Sequence, residues 1–167
     1  MEHTNKQVTS YRILDSQVMT ADIADANVTE AKIVASSGTG LGLPRVARAK
    51  YDFATDGGAI STITPALNST IPNDAVIVGG TINSTTAATS GGSATIAVGT
   101  SAGSSTTSIL GATAVGSFTT DAVLNSAATF AAPVKMTAAG SITITIATAD
   151  LTAGVIEITV VYFVAAA

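Results

Sequence analysis

The side chains that could carry out chemistry are few, and their spacing does not assemble a catalytic site. The single histidine, His3, lies near the N-terminus without a serine or acid in any pattern that would make a Ser-His-Asp triad. The chain has no cysteine, which excludes disulfides and thiolate metal sites. The carboxylates do not follow the spacing of a calcium loop. We therefore predict that the protein is not an enzyme and uses no cofactor or metal.

Three weaker chemical signals have simpler explanations. Asp15, Asp22 and Asp25 come nearest to an acidic group, and we interpret them as solvated charges. The GTGLG sequence at 38–42 departs from the glycine spacing of phosphate-binding loops, and no Lys-Ser/Thr pair follows it, so we interpret it as a linker. The abundant Ser and Thr residues are expected to face outward on strands rather than act as nucleophiles.

Composition narrows the class of protein further. Charged residues make up 11% of the chain and hydrophobic residues 47%, whereas soluble domains usually carry roughly 25% charged residues. Hydrophobicity this high with a net charge of −4 argues against disorder, and the lack of a basic run argues against nucleic acid as a partner. No stretch of roughly 18 residues is apolar enough for a membrane span, and the N-terminus lacks the apolar region of a signal peptide. We expect synthesis in the cytoplasm of the producing cell.

Charge divides the chain into two zones. Residues 1–56 hold 13 of the 18 charged side chains, and residues 57–167 hold the other five. So abrupt a change predicts two parts with different surroundings. We predict an N-terminal arm with its linker at 1–44 and a β-sandwich knob domain at 45–167.

A ten-residue unit repeats through the arm. The three units are NKQVTSYRIL at 5–14, DSQVMTADIA at 15–24 and DANVTEAKIV at 25–34. Each unit carries one valine and one isoleucine in register: Val8, Val18 and Val28, and Ile13, Ile23 and Ile33. Two apolar residues per unit cannot bury a core alone, so the units need either one another or copies from other chains. The spacing of five fits neither the helical nor the strand period, which leaves the secondary structure of the arm open.

Beyond Arg45 the sequence pattern is that of a β protein. Ala47 to Ala54 alternates, with Tyr51 and Phe53 on one face, and a strand from Ala75 to Asn83 is predicted to carry a bulge at its two glycines. Ser141 to Ile146 alternates cleanly, with isoleucines inward and hydroxyls outward. Val155 to Val164 is apolar on both faces, which indicates a central strand or one covered by another subunit.

Other short segments, among them Val115 to Thr119 and Ala128 to Phe130, are also predicted to be strands. Eight or nine short strands separated by Gly, Pro and Asn turns predict a jelly-roll-like β-sandwich, an all-β fold. Its aromatic and isoleucine residues are candidates for the knob core or a subunit interface: Tyr51, Phe53, Ile142, Ile144, Ile146, Tyr162 and Phe163.

The low charge of the knob domain has a consequence for its surface. Residues 57–167 would expose more apolar and weakly polar area than soluble monomers normally tolerate. Either neighbouring subunits cover this area, or hydroxyls and small residues form a flat exterior. Both explanations suit a rigid assembly.

The repeat also resembles a known family. DSQVMTADIADANVTEAKI resembles the D-x-x-V-T-x-A-K-I repeats near the N-termini of tailed-bacteriophage fibre and head-decoration proteins, and the charge-poor second half is similar to their β-sandwich knobs. The resemblance implies a homotrimer on the capsid surface of a virion, made in the host cytoplasm, with arms gripping the capsid and the knob outward. It implies that Asp15, Asp25 and Lys32 are polar partners in the arm. The residues implied to pack the arm or attach it to the capsid are Val8, Tyr11, Arg12, Ile13, Val18, Ile23, Val28 and Ile33.

The first repeat unit departs from this pattern. It has Tyr11-Arg12 where later units have Ala21-Asp22 and Ala31-Lys32. Residues 5–14 therefore either belong to the repeat or make the anchoring contact themselves.

The resemblance favours a capsid decoration (cement) protein or a short head-fibre protein that stabilises the capsid. Its partners would be further copies of itself and the major capsid protein or another virion protein. One alternative is a tail-fibre or tail-tip receptor-binding component that recognises a host-surface glycan. Another is a carbohydrate-binding β-sandwich module, although sugar sites usually need exposed aromatics and the chain has no Trp and three Tyr.

Overall fold

The structure, a computed structural model, describes residues 44–102 and 106–164. The repeat units and all predictions for residues 1–43 lie outside these ranges. The elements in chain order are β1 (Arg45–Asp52), α1 (Phe53–Asp56), β2 (Ser61–Ile63), β3 (Leu67–Asn68), β4 (Thr70–Ile71), β5 (Ala75–Ser90), β6 (Thr95–Thr100), β7 (Leu110–Ala114), a 3-10 helix (Val115–Ser117), β8 (Ala122–Asn125), β9 (Val134–Lys135), β10 (Gly140–Ala147) and β11 (Leu151–Val164).

The strands form two antiparallel sheets. The large sheet has the order β3-β1-β11-β5-β8, with β9 also pairing with β5, and the small sheet has the order β2-β10-β6-β7, with β4 also pairing with β10. The first strands pair with the last ones: β1 with β11, β2 and β4 with β10, β5 with β8, and β6 with β7. This is a long hairpin folded over on itself, which is the arrangement of a jelly roll. The predicted all-β sandwich is confirmed.

Alternation along the strands builds the core between the sheets. On β11, the side chains of Ile156, Ile158, Val160 and Tyr162 face inward and are buried, and the residues between them face outward. On β10, Ile142, Ile144 and Ile146 are buried from the opposite sheet. The strand β11 lies between β1 and β5, so its apolar sequence fits a central strand.

One hydroxyl of β10 departs from the predicted outward exposure. Thr143 lies on the face of the small sheet away from the core, opposite Gly99, and yet it is buried. Its Oγ1 has no hydrogen-bond partner among the described residues. The hydroxyl of Thr145 follows the prediction and hydrogen bonds with that of Thr62 over 2.9 Å.

The first predicted strand ends two residues earlier than expected, at Asp52, because local hydrogen bonds start a helix. A carboxylate oxygen of Asp52 accepts the N–H of Ala54 over 3.0 Å, and Asp56 accepts the N–H of Asp52 over 2.9 Å. Gly57, at φ 77°, ends the turn. Phe53 therefore opens α1 instead of continuing the alternation, and it packs partly buried against the core.

Two segments predicted to be strands form turns instead. Residues 115–117 form a 3-10 helix, after which the N–H of Phe118 donates to Val115 O over 3.0 Å. Around 128–130, the N–H of Ala128 donates to Ser126 Oγ, and Thr129 exchanges backbone hydrogen bonds with Ala132. These local bonds satisfy backbone groups that a sheet ladder would otherwise use.

The predicted bulge lies beside the two glycines of β5. Val161 pairs with Gly79 and Tyr162 pairs with Ile77, so Val78 is the extra residue. The strand continues through the bulge, so β5 runs for 16 residues and pairs with β11, β8 and β9 of the large sheet.

Tyr51 connects the end of β1 to the turn after α1. Its side chain is buried, and its hydroxyl donates to Gly57 O over 2.7 Å. Burial raises the pKa of Tyr51 from 10.0 to about 12, with a further contribution from the charges of Asp56 and Asp52. Because the folded protein holds this proton more tightly than the unfolded chain, the neutral phenol adds stability below pH 10 that is lost as pH rises toward 12.

We therefore expect the free energy of unfolding to fall by about 1–2 kcal/mol between pH 10 and 12 through this one group. Tyr51→Phe should remove that loss and cost about 1 kcal/mol at pH 7, because the hydrogen bond to Gly57 O disappears. Urea unfolding of both proteins from pH 8 to 12 measures the two slopes. Parallel slopes would contradict the assignment.

Candidate assembly surface

Two of the described carboxylates, those of Asp56 and Asp150, hydrogen bond to the backbone and support the fold. Within residues 44–102 and 106–164, no three His, Cys, Asp or Glu side chains come together in a metal-binding group. Asp56 accepts the backbone N–H of Asp52 and of Ala66, and Asp150 accepts that of Ile60. No helix in the same ranges is long and apolar enough to cross a membrane.

The two sheets differ in charge. The strands of the small sheet carry no charged side chain, whereas those of the large sheet carry Arg45, Arg48, Lys50, Asp52, Lys135 and Glu157. Hydroxyls on the small sheet bond to one another, as Thr62 and Thr145 do. Among the described strands, charged side chains are therefore confined to the large sheet.

Strand register gathers five outward side chains into one row across the large sheet. Lys50 on β1 lies opposite Glu157 on β11, which lies opposite Asn83 on β5. At the two edges, Leu67 on β3 pairs with Lys50 and Val123 on β8 pairs with Asn83. The row joins residues that are up to 107 positions apart in the sequence, counted from Lys50 to Glu157.

Polarity changes along the strands from this row. The next outward positions are polar, with Arg48 opposite Thr159 and Thr159 opposite Thr81. Beyond them the positions are apolar, with Val46 opposite Val161 and Phe163 opposite Val76. The ring of Phe130 lies against that of Phe163, with centroids 6.2 Å apart and planes inclined at 52°. We call these outward residues together the outer face, and we call Val46, Val161, Phe163, Val76 and Phe130 its apolar end.

Exposed apolar side chains are concentrated on the outer face. The described residues include five large hydrophobic side chains that are more than half exposed: Val46 at 51%, Ile60 at 55%, Val123 at 62%, Leu67 at 66% and Phe130 at 78%. Four of the five belong to the outer face, and Ile60 lies on the loop before β2. Apolar residues that share one face with polar ones make that face a candidate interaction surface.

A groove of about 530 Å³ opens at the charged part of the outer face, lined by Arg48, Lys50, Leu67, Glu157 and Thr159 among others. Neither Arg48 nor Lys50 forms an ion pair with a described residue, although Glu157 lies directly across from Lys50. Lys135, by contrast, does pair with Asp74 over 3.3 Å. The groove therefore presents two cations and a carboxylate that form no ion pair within residues 44–102 and 106–164.

The structure separates the residues that sequence reasoning grouped together. Tyr51, Ile142, Ile144, Ile146 and Tyr162 lie in the core, while Phe163 lies on the outer face. The candidate attachment residues of the arm lie outside the described ranges.

Sequence reasoning missed the outer face itself. Val46, Arg48, Leu67, Val123 and Glu157 were not selected as site residues. A signal was present in β11, whose outward positions alternate with the core and are mostly apolar: Val155, Glu157, Thr159, Val161 and Phe163.

Solved structures with a similar fold come from phage capsids. A chain in the acidic stable capsid structure of Helicobacter pylori bacteriophage KHP30 superposes with a TM-score of 0.53 and 13% identity, over 74% of this chain and 90% of that chain. A chain in the cyanophage Pam1 capsid asymmetric unit superposes with a TM-score of 0.54 and 18% identity, over 84% of this chain and 99% of that chain. No protein-family model and no curated protein sequence matches this chain. At these identities the likeness establishes a shared fold.

Proposed function

We propose that the protein is a structural component of a phage virion, a decoration protein or short head-fibre protein that forms a homotrimer and binds the capsid exterior through its N-terminal arm. The knob domain faces outward, and its jelly roll has a structural role and not a catalytic one. The major capsid protein, or another virion protein exposed on the shell, is the proposed partner of the arm.

The observation that carries this proposal is the shared jelly roll. The fold matches chains from two phage capsid structures over 90% and 99% of their lengths, so it corresponds to whole chains there. The repeat units of the arm add support, since two apolar residues per unit need an external surface or further copies to bury them. The charge-poor knob domain fits the same role.

The proposed mechanism is stabilisation by binding. A protein that binds the assembled shell, and does not bind its separated subunits, lowers the free energy of the shell by RT ln(1 + [L]/Kd) per site. Each arm that spans two capsid subunits must be released before they separate. The shell then resists internal pressure better than the undecorated one.

We expect that replacing Ile13, Ile23 and Ile33 with serine abolishes binding to empty heads, because the change removes one apolar contact from each repeat unit. Heads produced without this gene would be incubated with the purified protein and sedimented, and bound protein quantified. The matched control replaces Ser10, Thr20 and Glu30 of the same repeat units with alanine and should bind like the original protein. Deleting residues 1–34 should likewise abolish attachment while the knob domain stays folded.

Equal binding by the serine variant and the control would refute attachment through the arm. Sedimentation equilibrium gives the oligomeric state, with an expected mass three times the chain mass of 16.4 kDa. A monomeric protein that binds a glycan array and ignores heads would instead favour the tail or carbohydrate-binding alternatives.

A further inference from the structure

We infer that the outer face of the large sheet is the contact between neighbouring copies of this chain. The inference rests on the proposed function in taking the assembly as a homo-oligomer, and it assigns a surface to that assembly. The partner is a second knob domain, and different parts of the outer face of the two copies meet, as closure of a ring of three requires.

The distribution of apolar side chains supports a protein partner over a small ligand. Val46, Leu67, Val123 and Phe130 are more than half exposed, and they are spread from one edge of the sheet to the other. The ring of Phe130 contacts that of Phe163, so the two aromatic side chains form one continuous apolar surface. Aromatic side chains are enriched where proteins contact one another.

The size of the face is sufficient for a stable contact. Strands lie about 4.8 Å apart and rise about 3.3 Å per residue, so five strands are about 20 Å wide and the longest strands exceed 40 Å. These longest strands are β5 with 16 residues and β11 with 14 residues. The edge strands are short, with two residues in β3 and four in β8, so the full width is reached only near the row from Leu67 to Val123. Together with the apolar end, a face of this outline is comparable with the roughly 800 Å² that each partner buries in a standard interface.

The charges on the outer face are complementary to a copy of the same face. Arg48 and Lys50 have no ion-pair partner among the described residues, and Glu157 is exposed beside them. A partner with one sign of charge would leave one of these groups opposed to a like charge. A second copy supplies both signs, so Lys50 of one copy faces Glu157 of the next.

The opposite surface of the sandwich lacks these features. The strands of the small sheet carry no charge, and hydroxyls such as those of Thr62 and Thr145 are satisfied within the chain. None of the large side chains that are more than half exposed lies on a small-sheet strand. This comparison favours the large sheet as the contact.

The inference is tested by reversing one charge at a time in the full-length chain. Lys50→Glu and Glu157→Lys should each raise the self-association Kd by about tenfold or more, because each places like charges across the contact. Mixing the two variants should strengthen association above that of either variant alone, since the introduced glutamate of one protein then meets the introduced lysine of the other. Within each chain the like-charge pair persists on mixing, so a gain on mixing identifies an interaction between chains. Analytical ultracentrifugation of each variant and of the equimolar mixture measures the three constants.

A second pair of variants tests the apolar end. Phe130→Ser should weaken self-association by tenfold or more, while Ile60→Ser, which removes an exposed hydrophobic side chain away from the outer face, should leave it unchanged. Circular dichroism checks that both variants are folded. Equal association constants for Phe130→Ser and the original protein, or a variant mixture no stronger than its components, would overturn the inference.

The outcomes separate this inference from the proposed function. An oligomer that binds heads and ignores all the outer-face changes would contradict the assigned surface and leave the capsid role standing. Loss of head binding by the arm variant, with normal self-association, would support attachment through the arm. It would also show that the contact between copies does not depend on the arm.

Discussion

Phe118→Ala is expected to lower the free energy of unfolding by about 3–5 kcal/mol, the usual cost of emptying a buried phenylalanine site. The ring of Phe118 is fully buried in the core between the sheets. Its backbone also anchors the loop, because its carbonyl accepts the N–H of Ala88 over 2.9 Å. Its N–H also donates to Val115 O over 3.0 Å, so the backbone at this position is tied both to the 3-10 helix and to β5. Chemical denaturation at pH 7 measures the change.

Phe130→Ala is the matched control for Phe118→Ala. It makes the same truncation at a ring that is 78% exposed. The free energy of unfolding of the dissociated, full-length chain should therefore change by less than about 1 kcal/mol. Denaturation must be followed at concentrations below the self-association constant, because Phe130 belongs to the inferred contact between copies. Similar losses for the two variants would show that Phe118 does not have its assigned role in the core.

Gly80→Ala is expected to destabilise the protein by about 3 kcal/mol, because there is no room for one added methyl group. A Cβ at Gly80 would lie 2.5 Å from the backbone oxygen of Thr159 and 3.1 Å from the Cα of Val160. Both atoms belong to the backbone of β11, the central strand of the large sheet, so neither can move without disturbing the ladder. Thermal unfolding should show a markedly lower Tm.

The neighbouring glycine provides the comparison. A Cβ at Gly79 would have no heavy atom within 4 Å, so Gly79→Ala should change the Tm little. The two variants share composition, strand and chemistry, and differ in which face of the sheet receives the methyl group. If both changes lowered the Tm equally, a general need for glycine at the bulge, rather than close packing against β11, would explain the pair.

Local chemistry explains which elements could be predicted. Strict alternation along β10 specified an inward and an outward face without reference to any other strand. Segments that form turns were mistaken for strands when local hydrogen bonds replaced the ladder, as with Ser126 and Ala128. The helix α1 begins where Asp52 accepts the N–H of Ala54 and Asp56 accepts the N–H of Asp52. The alternating apolar residues at Tyr51 and Phe53 predicted a continuing strand at this position instead.

The sequence by itself determined that the described part of the chain is an all-β protein, because strand propensity, alternation and turn residues are local properties. The strand order of the jelly roll was decided by the tertiary structure, since the pairing of β1 with β11 joins segments at opposite ends of the knob domain. The outer face depends on the same long-range register. A shift of one residue between β1 and β11 would separate Lys50 from Glu157 and turn every outward side chain of one strand toward the core. The residue types along each strand determined which of its side chains are apolar, polar or charged. The pairing of distant strands decided which of these side chains lie next to one another.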